Sequence, residues 1–158
     1  MRSWTPVEIW TALPIAVLTV VGFVVSVLDG VSSSTVQVLI GGALFHFGMV
    51  IDRKVRTQLI VKGFYCKAET KRLVAPRELQ LEGMFRYLRH PLYAGKILSL
   101  SLGVALIFPS YWGAWILAAA ALAYVPRMYF EERVIVETYG EEYRDYRRRV
   151  RALIPGIL

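Results

Sequence analysis

Apolar residues along this chain gather into four runs, with polar and charged residues between them. The runs span about Val7–Leu28, Val36–Ile51, Leu92–Phe108 and Trp112–Phe130. A helix needs about 20 apolar residues to cross a bilayer. The first and fourth runs reach that length. The second and third are short and would recruit flanking residues or sit in thinned bilayer. The first run is long and contains Pro14. It lacks a small-residue cleavage site before a polar segment, so it does not read as a signal peptide.

The segments between the runs divide by charge. Residues Asp29–Thr35 and the turn Pro109–Tyr111 contain no Lys or Arg. The connection from Asp52 to His90 carries ten basic residues, including Arg53, Lys54, Arg56, Arg86 and Arg89, and the tail carries Arg133, Arg144, Arg147, Arg148, Arg149 and Arg151. Basic loops stay on the cytoplasmic side. This pattern predicts four spans with both termini, the long connection and the active site in the cytoplasm. The expected fold is all-α and integral to the membrane: one domain over 1–158, four transmembrane helices, a C-terminal helical hairpin and a cytoplasmic amphipathic tail helix.

Composition agrees. The 158 residues are 56% hydrophobic, above the roughly 45–50% of soluble domains. The net charge of +7 is confined to particular segments, which points to membrane topology and away from nucleic acid. The single cysteine, Cys66, excludes an internal disulfide or a Cys-based metal cluster. The expected partners are membrane lipid and a lipophilic small molecule. The oligomeric state is not legible.

The most informative stretch is FRYLRHPLYAG, residues 85–95. Arg89, His90 and Tyr93 stand at the mouth of the third run. Pro91 suits the first turn of a helix, where its missing N–H costs nothing. The N-terminus of that helix would favour an anionic group. The hairpin of the third and fourth runs brings this corner toward Arg127, Glu131 and Glu132. Arg127 and Glu131 are four apart and share a helix face. Glu132 points about 100° away. Pro126 should kink or loosen its helix. Charges that merely end a span are the bland explanation. Facing a His-Pro corner, they read instead as an inward-turned functional group. His46 lies between Gly41, Gly42 and Gly48. It reads as a neutral, hydrogen-bonded packing residue, and the glycines as points of close helix contact.

The chain has no GxGxxG after a strand, no P-loop, no GxSxG and no HExxH. Only two histidines are present, so no metal site is expected.

The segments GMFRYLRHPLYAG and EERVIVETYGEEYRDYRRRVRALIP closely resemble the C-terminal half of isoprenylcysteine carboxyl methyltransferases. The related phospholipid N-methyltransferases share the Arg-His-Pro corner. The resemblance covers about residues 77–155. It implies an S-adenosylmethionine-dependent membrane methyltransferase, with S-adenosylhomocysteine as product and a prenylcysteine-like carboxylate as acceptor. By resemblance, His90, Pro91, Leu92 and Tyr93 line the cofactor site beside Arg89, Glu131 grasps the cofactor, and Glu132 matches a second Glu. Leu79 and Gln80 match a segment that touches cofactor. Phe85 stands where the family usually has Tyr, and Arg77 where it often has His. Arg127 matches an Arg linked to the methyl acceptor and is the expected catalytic residue.

The chemistry is compatible. The donor carries a sulfonium, an ammonium and a carboxylate. The helix start suits the carboxylate, Glu131 the ammonium or a ribose hydroxyl, and Tyr93, Tyr87 and Phe85 offer aromatic faces to the cation. Arg127 is able to hold an acceptor carboxylate but not to act as a base. Tyr143 and Tyr146 lie one turn apart and would pack beneath a tail lid, while Arg147, Arg148 and Arg149 would meet anionic lipid. Two rivals remain. NADPH-dependent membrane sterol or enone reductases carry a similar Arg-His-Pro-x-Tyr corner, although a Glu-Glu pair is poorly suited beside a 2′-phosphate. A non-catalytic membrane scaffold is the other.

Overall fold

The computed structural model describes residues 6–30, 32–61 and 79–153. Arg77, Cys66 and most of the long basic connection lie outside the described residues. The described residues are helical and contain no strand; the one β-type pairing is an isolated parallel bridge between Leu88 and Arg151.

Helix α1 covers Pro6–Leu28 and α2 covers Thr35–Val61. A reciprocal cap starts α2. The Ser34 hydroxyl accepts from Gln37 N at 3.2 Å, and Ser34 N donates to Gln37 Oε1 at 2.8 Å, the capping-box arrangement. The helix continues ten residues past Ile51, where the apolar run ends. Residues 52–61 contain neither Gly nor Pro. Arg, Lys, Gln and Leu are good helix formers, and Arg56 Nε pairs with Asp52 Oδ2 at 2.5 Å. Charge ends an apolar run without ending a helix.

Helix α3 covers Pro91–Ile107. Its middle, Ile97–Gly103, is wound as a π-helix, a rare form that often marks functional positions. Ser110 then caps α4, Tyr111–Leu122, by accepting from Gly113 N at 3.0 Å. The same hydroxyl donates to Asp29 Oδ2 at 3.1 Å, tying the hairpin turn to the end of α1. The helix breaks at Ala123, and α5 runs from Tyr124 to Tyr139. Pro126 lacks the N–H that would bond the carbonyl of Leu122, so the expected loosening falls here. Gly140, at φ +56°, turns the chain into α6, Glu141–Arg149.

Among the described residues, two stretches are long and apolar enough to cross a membrane: Thr35–Leu59 and the α4–α5 run Tyr111–Tyr139. Ala12–Leu28 and Pro91–Ile107 are apolar but shorter. Large apolar side chains lie exposed along α1, α2 and α4, among them Val20, Leu39, Phe47, Trp112 and Trp115. A helix surface of this kind is suited to lipid rather than water.

The helices pack chiefly in two pairs, α1 on α4 and α2 on α3. Small residues set both contacts. Fully buried Ser26 lies against Gly113. Gly48 and Gly95 bring the backbones of α2 and α3 together: a Cβ on Gly95 would stand 2.8 Å from Gly48 O. Gly41 packs on Leu106, but a Cβ on Gly42 would meet nothing within 4 Å, so it takes no part in close packing. His46 is exposed and not a buried packing residue, because the inward face at that level belongs to Gly41, Phe45 and Gly48.

Candidate active site

The corner at residues 88–93 is held from both sides of the chain. Pro91 opens α3, and the amides of Tyr93 and Ala94 each bond His90 O at 3.1 Å. That takes up two donors expected to serve an anion. On the other side the tail runs alongside in extended form. Arg89 N donates to Arg151 O at 2.8 Å, and His90 N donates to Ala152 O at 3.0 Å. Arg89 Nη1 also donates to the carbonyls of Arg147 (3.0 Å) and Val150 (3.2 Å). Backbone pairing of this kind carries no side-chain signature and was not legible in the sequence.

The α3–α4–α5 hairpin delivers both glutamates to this corner. Tyr93 donates its hydroxyl hydrogen to Glu131 Oε1 at 2.5 Å and accepts from Arg127 Nε at 3.0 Å. Tyr93 therefore joins Arg127 to Glu131, the two residues expected to share a face of one helix. Glu131 Oε2 lies 3.6 Å from His90 Nδ1. His90 Nε2 lies 3.0 Å from Glu132 Oε1. Burial alone would pull His90 down, but hydrogen bonds to Glu131 and Glu132 and their negative charges outweigh it and hold the imidazole above its ordinary value of 6.5. With a carboxylate at each ring nitrogen, the doubly protonated form is favoured.

The two glutamates differ in setting. The Glu132 side chain is 10% exposed and meets Arg89 Nε at 2.8 Å, His90, and Arg147 Nε at 3.4 Å. The Arg89 Nε–H lies off the hydrogen-bond line, so that contact is an ion pair rather than a directed bond. Glu131 is 27% exposed and is the more accessible carboxylate. Tyr93 is sandwiched between rings. His90 stacks on it at 5.6 Å, and Tyr124 lies at 5.0 Å. Buried Ile15 and Met128 complete this core, which joins α1, α3 and α5.

The remaining expected residues lie around this cluster. Leu92 and Phe85 are half-buried. Phe85 O accepts from the Tyr146 hydroxyl at 2.6 Å. Gln80 is buried, its Oε1 3.5 Å from Gln58 Nε2, and Leu79 beside it is half-buried. Tyr143 and Tyr146 are buried under α6 with ring centroids 5.7 Å apart. Burial pushes the Tyr146 phenol up to about 12, so it remains a donor at physiological pH. A groove of about 470 Å³ opens between the turn at 81–86 and α6, lined by Glu82, Arg86, Tyr146 and Arg149 among others. Sequence reasoning missed Tyr124 and Lys96, which stand beside the Tyr93 ring, and Asp52, whose backbone lies against Gly95. Asp52 and Lys96 carry no motif signal, and Tyr124 lies unmarked in an apolar run.

The comparisons with known proteins now bear on this geometry. The phospholipid methyltransferase family profile matches residues 36–142, more than half of the chain. The chain belongs to the phospholipid methyltransferase family. It is also similar to methanethiol S-methyltransferases. One from Crocosphaera subtropica is 34% identical over 87 residues, covering 52% of this chain and 31% of that protein. Two from Bradyrhizobium diazoefficiens, numbered 1 and 2, are 31% and 36% identical, covering 46% and 47% of this chain and 24% and 27% of their own lengths. The aligned part thus spans about a third or less of each relative. The family and the relatives' names alike indicate methyl transfer.

Proposed function

We propose that this protein is a four-span membrane methyltransferase that takes its methyl group from S-adenosylmethionine and gives it to a lipophilic acceptor bearing a thiol. The observation that carries this reading is Tyr93, bonded at once to Glu131 and Arg127 and stacked on His90.

The donor set fits the cofactor. When bound, S-adenosylmethionine supplies an electrophilic methyl group on a cationic sulfur. Glu131 is an accessible carboxylate for the ammonium or a ribose hydroxyl. Glu132 serves differently: it fixes Arg89 and His90 and ties Arg147 of the tail to α5. The paired backbone at Arg151 and Ala152 keeps the corner rigid, as a site that must align two reactants requires. Helix α6 packs on the corner through Arg147, which meets Glu132 and Arg89, and would shield it from water. The basic loops support a cytoplasmic orientation for this end of the molecule.

The relatives' names, which specify a thiol, support this choice of acceptor. A prenylcysteine-like carboxylate, the alternative acceptor, would turn to Arg127, whose Nε is held by Tyr93. An NADPH-dependent reductase is disfavoured by the paired glutamates, which would repel a 2′-phosphate. A scaffold leaves the buried Tyr93–Glu131 bond without a purpose. The test is methyl transfer from labelled S-adenosylmethionine by the purified chain in nanodiscs, with an alkanethiol and a prenylcysteine acid as alternative acceptors. Label in the thioether supports the proposal. Label in neither product overturns it, and label in the ester alone overturns the thiol assignment.

A further inference from the structure

Lys96 sits five residues into α3, about 7.5 Å along the helix from Pro91, within an apolar run. It is half-buried. Its ammonium lies 6.0 Å from the centroid of the Tyr93 ring. Among the described residues it makes no hydrogen bond or ion pair. The π-wound segment begins at the next residue, Ile97.

The close contact of α2 and α3 shapes what surrounds it. A Cβ on Gly95 would stand 3.2 Å from Asp52 N, so Asp52 and Lys96 flank the same backbone contact. Asp52 Oδ2 is taken by Arg56, while its Oδ1 is buried with no partner. The charged groups acting on Lys96 are Arg56 and Asp52 from α2 and Arg127 and Glu131 from α5. With Lys96 they make three cations and two carboxylates. An ammonium at membrane depth whose neighbouring carboxylates are outnumbered by cations is costly. The position is therefore built to receive an anion.

We propose that Lys96 is the acceptor-binding cation of this enzyme, and that the acceptor enters its reaction as a compact anion, a thiolate, held at the Lys96 ammonium. This rests on the methyltransferase reading above and names the ionic form of its substrate. The thiol loses its proton to solvent on binding. The thiolate sulfur then forms a bond to the methyl carbon while the methyl–sulfonium bond breaks, and that electron pair stays on the donor sulfur. The product is a neutral thioether, which no longer attracts the ammonium and leaves toward the lipid.

The test uses the full chain in neutral-lipid nanodiscs, as wild type, Lys96→Met and Lys96→Arg. Binding of a trifluoromethyl-tagged short-chain thiol, scanned through its own ionisation, is followed by fluorine NMR. The corresponding carboxylate is run alongside to separate thiolate from carboxylate chemistry. S-Adenosylhomocysteine affinity is measured on each variant. The expected result is anion binding weakened about tenfold or more in Lys96→Met and retained in Lys96→Arg. The thiol should bind with its ionisation shifted to lower pH in wild type only. S-Adenosylhomocysteine should bind all three alike, which also shows that the variants fold. Equal anion binding by wild type and Lys96→Met overturns the inference and leaves the donor site standing. Selective loss of anion binding with no S-adenosylhomocysteine binding by wild type upholds the anion subsite and overturns the donor assignment. Binding of the carboxylate but not the thiolate overturns the thiolate assignment.

Discussion

The Tyr93 hydroxyl reaches from α3 to Glu131 on α5 at 2.5 Å and takes the Nε–H of Arg127 at 3.0 Å. One phenol therefore sets the spacing between the helix that opens at Pro91 and the helix that carries both glutamates. Removing it should disturb ligand binding more than folding, because the ring remains to pack between His90 and Tyr124.

Tyr93→Phe keeps that packing and deletes the bridge. The affinity for S-adenosylhomocysteine should fall about tenfold, the scale of one hydrogen bond to a charged group. Titration of the purified variant checks this, with helicity by circular dichroism as the control. Unchanged affinity would place the donor elsewhere.

The two glutamates should separate by phenotype. Glu132→Gln leaves Arg89 and His90 without their buried counter-charge, and breaking such a pair costs about 3–5 kcal/mol. The half-exposed Arg147 adds little. Thermal unfolding in detergent should therefore show a clear drop in Tm for Glu132→Gln. Glu131→Gln should unfold near the wild-type temperature and lose donor affinity. The opposite pattern would exchange the two roles.

His90 makes stability depend on pH. Its pKa in the folded protein is raised above 6.5 by Glu131 and Glu132 against the pull of burial. A group raised on folding contributes fully below its unfolded value and loses that contribution as pH rises through the folded value. The Tm should therefore decline as pH climbs above about 6.5. In His90→Gln the slope over that window should be flatter. Identical slopes in the two proteins would show that His90 does not titrate there.

The contact of α2 with α3 offers an internal comparison. Gly48→Ala would drive a methyl group into the Gly95 carbonyl, a clash worth about 1–3 kcal/mol. Gly42→Ala meets nothing within 4 Å and should be neutral in Tm and in activity. Equal behaviour of the two variants would argue against the close packing of these helices.

Much of the site was legible because its residues are chemically out of place. Arg89, His90 and Pro91 beside an apolar run, and Glu131 and Glu132 at the end of another, stand out by polarity, and helix spacing put Arg127 and Glu131 together. The short second run recruits flanking residues, the first of the two courses open to it, and α2 runs on because Asp52–Val61 has nothing to break a helix. His46 was misread because a lone His among glycines gives no sign of which way it faces. The pairing of Arg151 and Ala152 with Arg89 and His90 is made by backbone atoms, which sequence does not distinguish. Lys96 is visible only once Gly48 and Gly95 are seen to bring Asp52 beside it.

The most direct test of the central claim is equilibrium titration of the wild-type chain in nanodiscs with S-adenosylhomocysteine, repeated with NADPH and on Glu131→Gln. The account predicts saturable binding of S-adenosylhomocysteine by wild type, marked weakening in Glu131→Gln and no binding of NADPH. Saturable binding of NADPH instead, or S-adenosylhomocysteine binding indifferent to Glu131, would contradict it.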